Sequence, residues 1–138
     1  MFSIELKNLD TVMRALDQWA DDVIKELVKA QDENGEHLLA AAQALSPKLT
    51  GDLEGSGTKT DAKADAAGKM ISVEIGFNKV YAARRHEESS KPGPITRGKP
   101  AVDGMDPGPK YIERPLKFYI NKYMQNLADA VKRVTGPA

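Results

Sequence analysis

The chain has two histidines, His37 and His86, and no cysteine. A multi-histidine metal site, a Cys-ligated zinc or iron site and a thiol nucleophile are therefore unavailable within one copy. His86 stands in the run Arg84-Arg85-His86-Glu87-Glu88. An imidazole beside carboxylates is the residue set of proton transfer, provided the side chains converge in a pocket. The same set suits a hydrogen-bonded structural or interface position, and the stretch lacks the second histidine of a helical zinc motif. His86 is read as an interface group, and His37, inside a helical pattern, as a packed or surface helix residue. Ser46, Ser56, Ser89 and Ser90 include no G-x-S-x-G nucleophile elbow. The glycine-rich stretch from Thr50 to Gly57 lacks the Gly-Lys-Ser/Thr ending of a phosphate loop; Gly68-Lys69 leads to Met70 and Gly98-Lys99 to Pro100. No catalytic residue, cofactor or metal is expected.

Lys91, Arg97 and Lys99, followed by Lys110, Arg114 and Lys117, could contact phosphates without reading sequence, or could simply be solvated; both readings stay open. No aromatic residue interleaves the loop basics, which disfavours a base-stacking platform. Tyr111, Tyr119 and Tyr123 fall at helical spacing, where packing is the expected use. The 138 residues carry 20 basic and 20 acidic side chains, formal net charge +0, so no global pull on nucleic acid or anionic lipid operates. The charge is nonetheless divided. Residues 1–50 hold 5 basic and 9 acidic side chains (net −4), residues 51–90 hold 6 and 7 (net −1), and residues 91–138 hold 9 and 4 (net +5). An acidic first part and a basic last part can attract each other within one chain or between copies in a ring.

With 41% hydrophobic and 6% aromatic residues, the core is expected to be aliphatic. The length suits a single domain over 1–138. The absence of cysteine fits a reducing compartment, the N-terminus lacks the regions of a signal peptide, and charges interrupt every apolar run, so a soluble protein is expected.

Phe2, Ile4 and Leu6 alternate with polar residues and predict a short edge or lead-in strand. Leu9, Val12, Met13, Leu16, Ala20, Val23 and Leu27 then recur at helical spacing, with Asp10 placed to cap the start. The pattern resumes through Leu38, Ala41 and Leu45, giving either one helix of roughly 50 Å or two helices meeting at Gly35, stopped at Pro47. Ile71, Val73, Ile75 and Phe77 form the clearest strand, with a weaker partner around Leu53 to Thr60 and a connecting loop between. Residues 89–109, rich in proline and glycine, are read as an extended flexible loop. Residues from Tyr111 to Val131 recur as an amphipathic helix that starts near Pro115 and stops at Gly136-Pro137.

Three ordered segments resemble one family. Ala42-Gln43-Ala44-Leu45-Ser46-Pro47-Lys48-Leu49-Thr50-Gly51-Asp52-Leu53-Glu54-Gly55-Ser56 is similar to an "A-x-x-x-P-x-x-T-G-x-L-x-x-S" signature that follows a helix. Val80-Tyr81-Ala82 with His86-Glu87 is similar to a "Y-A-x-x-x-H/E" stretch, and Lys110-Tyr111-Ile112-Glu113-Arg114-Pro115-Leu116 to a "P-F-[LI]-x-P-A-L" helix start. The family is that of small neck proteins of tailed bacteriophages: tail-completion, head-to-tail joining or minor structural proteins. The resemblance implies a non-enzymatic virion component, made in the host cytoplasm, whose copies form a ring between the connector or stopper and the tail tube or tail terminator. Genomic DNA would pass through its lumen.

Read physically, Pro47, Thr50, Gly51, Leu53 and Pro115 are turn-makers and helix or strand starters. Tyr81, Arg84, Arg85, His86, Glu87, Lys91, Arg97, Lys99 and Tyr111 are the interface candidates, with Tyr111 and Ile112 also expected to pin the return of the long loop onto the core. The expected fold is α+β: a long N-terminal helix and a C-terminal helix packed on a small, mainly antiparallel sheet, with a long proline-rich loop. Two other readings remain: a small nucleic-acid-associated protein using the basic C-terminal third, and a small enzyme centred on His86 with Glu87 or Glu88.

Overall fold

A computed structural model describes residues 2–9, 19–46, 56–65, 70–77 and 99–136. Its elements run β1 (Phe2–Leu6), α1 (Ala20–Leu45), β2 (Gly57–Lys59), β3 (Lys63–Ala64), β4 (Ile71–Phe77) and α2 (Glu113–Thr135). This is the expected α+β fold.

β4 is the centre of a four-stranded antiparallel sheet. β1 pairs along one side of it, Phe2 opposite Ile75 and Leu6 opposite Ile71. β2 and β3 share the other side, with Gly57 opposite Phe77 and Ala64 opposite Ile71. The period-two pattern decides which face is covered. Ile71, Val73 and Ile75 are at most 1% exposed, while Glu74 between them is exposed; burying such a side chain contributes roughly 1.5–3 kcal/mol. β2 falls inside the range expected for the partner strand. β3, two residues long, lies in a stretch read as connecting loop and is too short to leave a periodic signature.

α1 runs unbroken through Gly35, which settles the choice between one helix and two. The glycine serves packing rather than bending. A Cβ at Gly35 would lie 2.6 Å from Val73 Cγ2, so only a hydrogen there lets α1 approach β4 this closely. Val23, Leu27, Ala30, Leu38, Ala41 and Leu45 form its buried side. Residues 10–18, including the expected cap Asp10, lie outside the described residues.

α2 begins two residues before Pro115, whose missing N–H falls in the first turn where it would have no intrahelical acceptor. It ends at Gly136, whose positive φ of 89° and N–H bond to the Lys132 carbonyl make the C-terminal cap. Between 99 and 112 the chain crosses from α1 back to the start of α2. Val102 and Met105 exchange two backbone hydrogen bonds of 2.9 Å around Asp103 and Gly104, both with positive φ, a two-residue hairpin turn.

Candidate interaction surface

α1 and α2 pack antiparallel along a seam that three contacts define. Glu26 meets Arg133 at 3.4 Å, Asn34 meets Asn126 at 2.8 Å, and His37 meets Tyr123 at 2.8 Å. The middle of the seam is polar and closed to water. Gln31 donates to the carbonyls of Ile4 (3.0 Å) and Ile71 (3.4 Å), while its own carbonyl oxygen accepts from the Asn34 amide at 3.1 Å. Asn34 also donates to the Tyr123 carbonyl at 3.3 Å. Gln31 and Asn34 are at most 1% exposed, so each bond here offsets a desolvation cost of several kcal/mol per unmet group. The chain of amides joins β1, β4, α1 and α2 in one register.

One turn further along α1, aromatic rings close the seam. His37 stands edge-on to Tyr119 and Tyr123, at centroid distances of 4.6 and 5.6 Å. The Lys122 ammonium lies 3.4 Å from His37 Nε2 and can only donate, so the ring proton sits on Nδ1 and is donated to the Tyr123 hydroxyl. Burial, then the Lys122 charge, lowers the His37 pKa, with Asp103 opposing. The Tyr119 hydroxyl donates to the Asp103 carboxylate. Burial first, then that bond, pushes the Tyr119 pKa up to about 12. Burial also raises Tyr123. The imidazole and the two phenol rings pack edge-on or tilted against one another between α1 and α2.

Lys99 closes the far end of α1. Its ammonium donates to the carbonyls of Gln43 (3.0 Å) and Ser46 (2.7 Å), and the Gly108 N–H donates to Leu45 O at 2.9 Å. The last turn of α1 has no basic residue of its own, so a cation from far along the chain satisfies its terminal carbonyls and dipole. Residues 99–109 are thereby tied to α1 through Lys99 and Gly108 and to α2 through Asp103. On the opposite side of α1, Asp32 accepts from Lys59 Nζ at 2.5 Å and from the Ala62 N–H at 2.9 Å, which together hold its carboxyl below the usual range and fix β2 and β3 to the helix.

The solvent face of α2 is of a different kind. Phe118 is 56% exposed, Met124 61% and Ile120 39%, the exposed large hydrophobics among the described residues. Every charged α2 residue in the exposed class is basic: Lys117, Lys122, Lys132 and Arg133. The periodicity places Ile120 on the apolar face, yet α2 meets α1 through Tyr119, Tyr123, Asn126 and Ala130, which leaves Ile120 at the rim. Phe118 and Met124 fall off the apolar stripe, a signal in the sequence that large apolar groups face outward. Gln31, Asn34 and Asn126 carry no such signal, because a polar residue at a helical core position looks like an interruption of the pattern.

Of the interface candidates, Lys99 and Tyr111 are described. Lys99 caps α1. Tyr111 is 1% exposed and packs edge-on to Phe77 with centroids 5.2 Å apart; burial pushes its pKa up to about 12. Of its two expected uses, the packing serves the pinning of the loop's return to the core. Tyr81, Arg84, Arg85, His86, Glu87, Lys91 and Arg97 lie outside the described residues, as do Pro47, Thr50, Gly51 and Leu53. Among the described residues, no group of three or more His, Cys, Asp or Glu side chains could hold a metal ion, and no helix is long and apolar enough to cross a membrane. No protein-family model, curated protein or solved structure matches the chain.

Proposed function

We propose that this chain is a non-enzymatic building block of a tailed-phage virion, a tail-completion or head-to-tail joining protein whose copies form a ring at the neck between connector and tail tube. The three ordered motifs between Ala42 and Leu116 supply the family. The observation that carries an assembly role is the outer face of α2, where Phe118 and Met124 are more than half exposed amid basic side chains. Large apolar groups held on a rigid helix and rimmed by charge are the anatomy of a protein contact. His37 and Tyr123 hydrogen-bond each other and the Tyr119 hydroxyl bonds Asp103, so the polar groups of this ring cluster are engaged in holding the helices and the 99–109 segment together. The basic end of the chain can also line a lumen through which DNA passes, a sequence-independent contact.

The test is the mass of the purified chain, alone and mixed with tail tubes, followed by electron microscopy of intact particles. A closed multimer seated at the tube end is the expected result. A chain that stays monomeric under every condition and binds DNA with steep salt dependence would replace this reading with that of a nucleic-acid-associated protein.

A further inference from the structure

A ring that closes by rotation needs two different patches on each copy that fit one another. The sheet has two such patches in its edges. Among the described residues, β1 ends the sheet on one side of β4, and β2 with β3 ends it on the other. We propose that the β1 edge of one copy adds to the β3 edge of the next, continuing one sheet from copy to copy. The pairing rests on the assembly reading above and names the contact that performs it.

An edge strand turns main-chain N–H and C=O groups outward, where any further strand can meet them, so the side chains must choose the partner. Ser72 lies opposite Glu5 on one side and opposite Lys63 on the other. Residues paired across strands share a face, and this row lies on the face turned away from buried Ile71 and Val73. Glu5 and Lys63 are both exposed, and neither forms an ion pair among the described residues. One row of the sheet thus ends in a carboxylate at one edge and an ammonium at the other, which is a head-to-tail match.

Direction and charge fix the register. β1 and β3 both run antiparallel to β4 and therefore in the same direction. A neighbour turned through the modest angle of a many-membered ring then presents its β1 parallel to β3. Setting Glu5 beside Lys63 sets Leu6 beside Ala64, both half-buried against the same apolar cluster. It also sets Lys7 beside Asp65, whose carboxylate accepts from the Met70 N–H at 3.3 Å. A slip of one residue would turn charged side chains toward the covered face. A slip of two residues in either direction would set Glu5 beside Asp61 or Asp65, like charge against like.

The chain has no cysteine, so engineered thiols report without background. Within one chain positions 5 and 63 lie two strand spacings apart, about 9.5 Å, whereas a disulfide spans at most ~7 Å between Cα atoms, so E5C/K63C can close only between copies. Circular dichroism establishes that each variant is folded. Mild oxidation is expected to turn the double variant into a ladder of multimers on a non-reducing gel, reversed by reductant, while E5C and K63C alone stop at sparse dimers. Independently, E5K and K63E should each weaken assembly at least about threefold by native mass spectrometry, and E5K/K63E should recover to near wild type. Multimers that form without the ladder, or a folded E5K/K63E no better than the single changes, overturn the edge contact and leave the ring standing. E5C dimers as abundant as the cross-links of the pair place β1 against β1 and overturn it too. A wild-type chain that stays monomeric, alone and on tail tubes, overturns both readings. A ladder from a chain that electron microscopy finds absent from the neck upholds the contact and overturns the neck.

Discussion

Asn34 and Tyr123 are separated by 89 positions in the chain, yet the Asn34 side-chain amide donates to the Tyr123 main-chain carbonyl at 3.3 Å in a site closed to water. A bond from a buried side chain to the backbone of another helix fixes one position along that helix, since sliding α2 by a residue would withdraw the carbonyl. The apolar part of the seam is more permissive; Leu38 or Leu127 could find neighbours after such a slide.

N34L should therefore cost more than a change of similar volume in the aliphatic core. It strands the Gln31 side-chain oxygen and removes the acceptor of Asn126. We expect a loss of about 2–3 kcal/mol by urea denaturation, against about 1 kcal/mol or less for N126A, whose side chain is half-buried. Equal effects from the two would remove Asn34 from its place at the centre of the register.

G35A gains about 1 kcal/mol of helix propensity but pushes a methyl group to 2.6 Å from Val73 Cγ2. Net destabilisation of about 1 kcal/mol or more is expected. In a V73A background the clash is relieved and the same change should become neutral or stabilising. The sign change in this double-mutant cycle is the measurement.

His37 makes stability depend on pH. Its folded pKa lies below the unfolded value of 6.5, because burial and Lys122 disfavour the charged ring. Below 6.5 the unfolded chain binds the proton that the folded chain refuses, so stability falls as pH drops from 6.5 toward the folded pKa. Carboxylates such as Asp32 contribute at lower pH, below their unfolded value of 3.8. Comparing wild type with H37Q between about pH 7 and pH 5 isolates the effect, and the variant should show the shallower slope.

Y119F deletes the hydroxyl that holds Asp103. The turn at Asp103 and Gly104 keeps its own backbone bonds, so loosening should be local. Hydrogen exchange at the Val102 and Met105 amides should speed about tenfold, corresponding to about 1.4 kcal/mol, while amides in the middle of α1 stay protected. Uniform loss of protection across α1 would instead mark Tyr119 as a core support alone.

The elements legible in the sequence are those whose side chains alternate or recur cleanly. β4 occupies the whole stretch from Ile71 to Phe77 that alternation marks, and α2 starts and stops where Pro115 and Gly136 require. Gly35 was ambiguous because a glycine that breaks a helix and one that admits a neighbouring strand read alike; Val73, its partner, lies 38 positions away. The polar seam was silent for the same reason, since Gln31 and Asn34 acquire meaning only from carbonyls on other elements. Lys99 reads as a loop cation until the end of α1 is placed beside it. For the candidate surface, the apolar residues of α2 that do not fit its buried stripe were visible by position, but their role as a face needed the orientation of the helix.

Among the described residues, β1, β2 and β3 all hydrogen-bond to β4, and β4 is the last of the four in chain order. None of the strand pairings described can form before residues 71–77 have been translated. β1, synthesised first, must wait unpaired until Ile71–Phe77 has cleared the exit tunnel, and then the sheet has its template at once. A nascent chain halted before residue 71 should thus expose Phe2, Ile4 and Leu6 to chaperones, and one extended past Phe77 should gain the strand pairing, with full burial of Ile4 waiting for Tyr111, Ile112, Tyr119 and Tyr123.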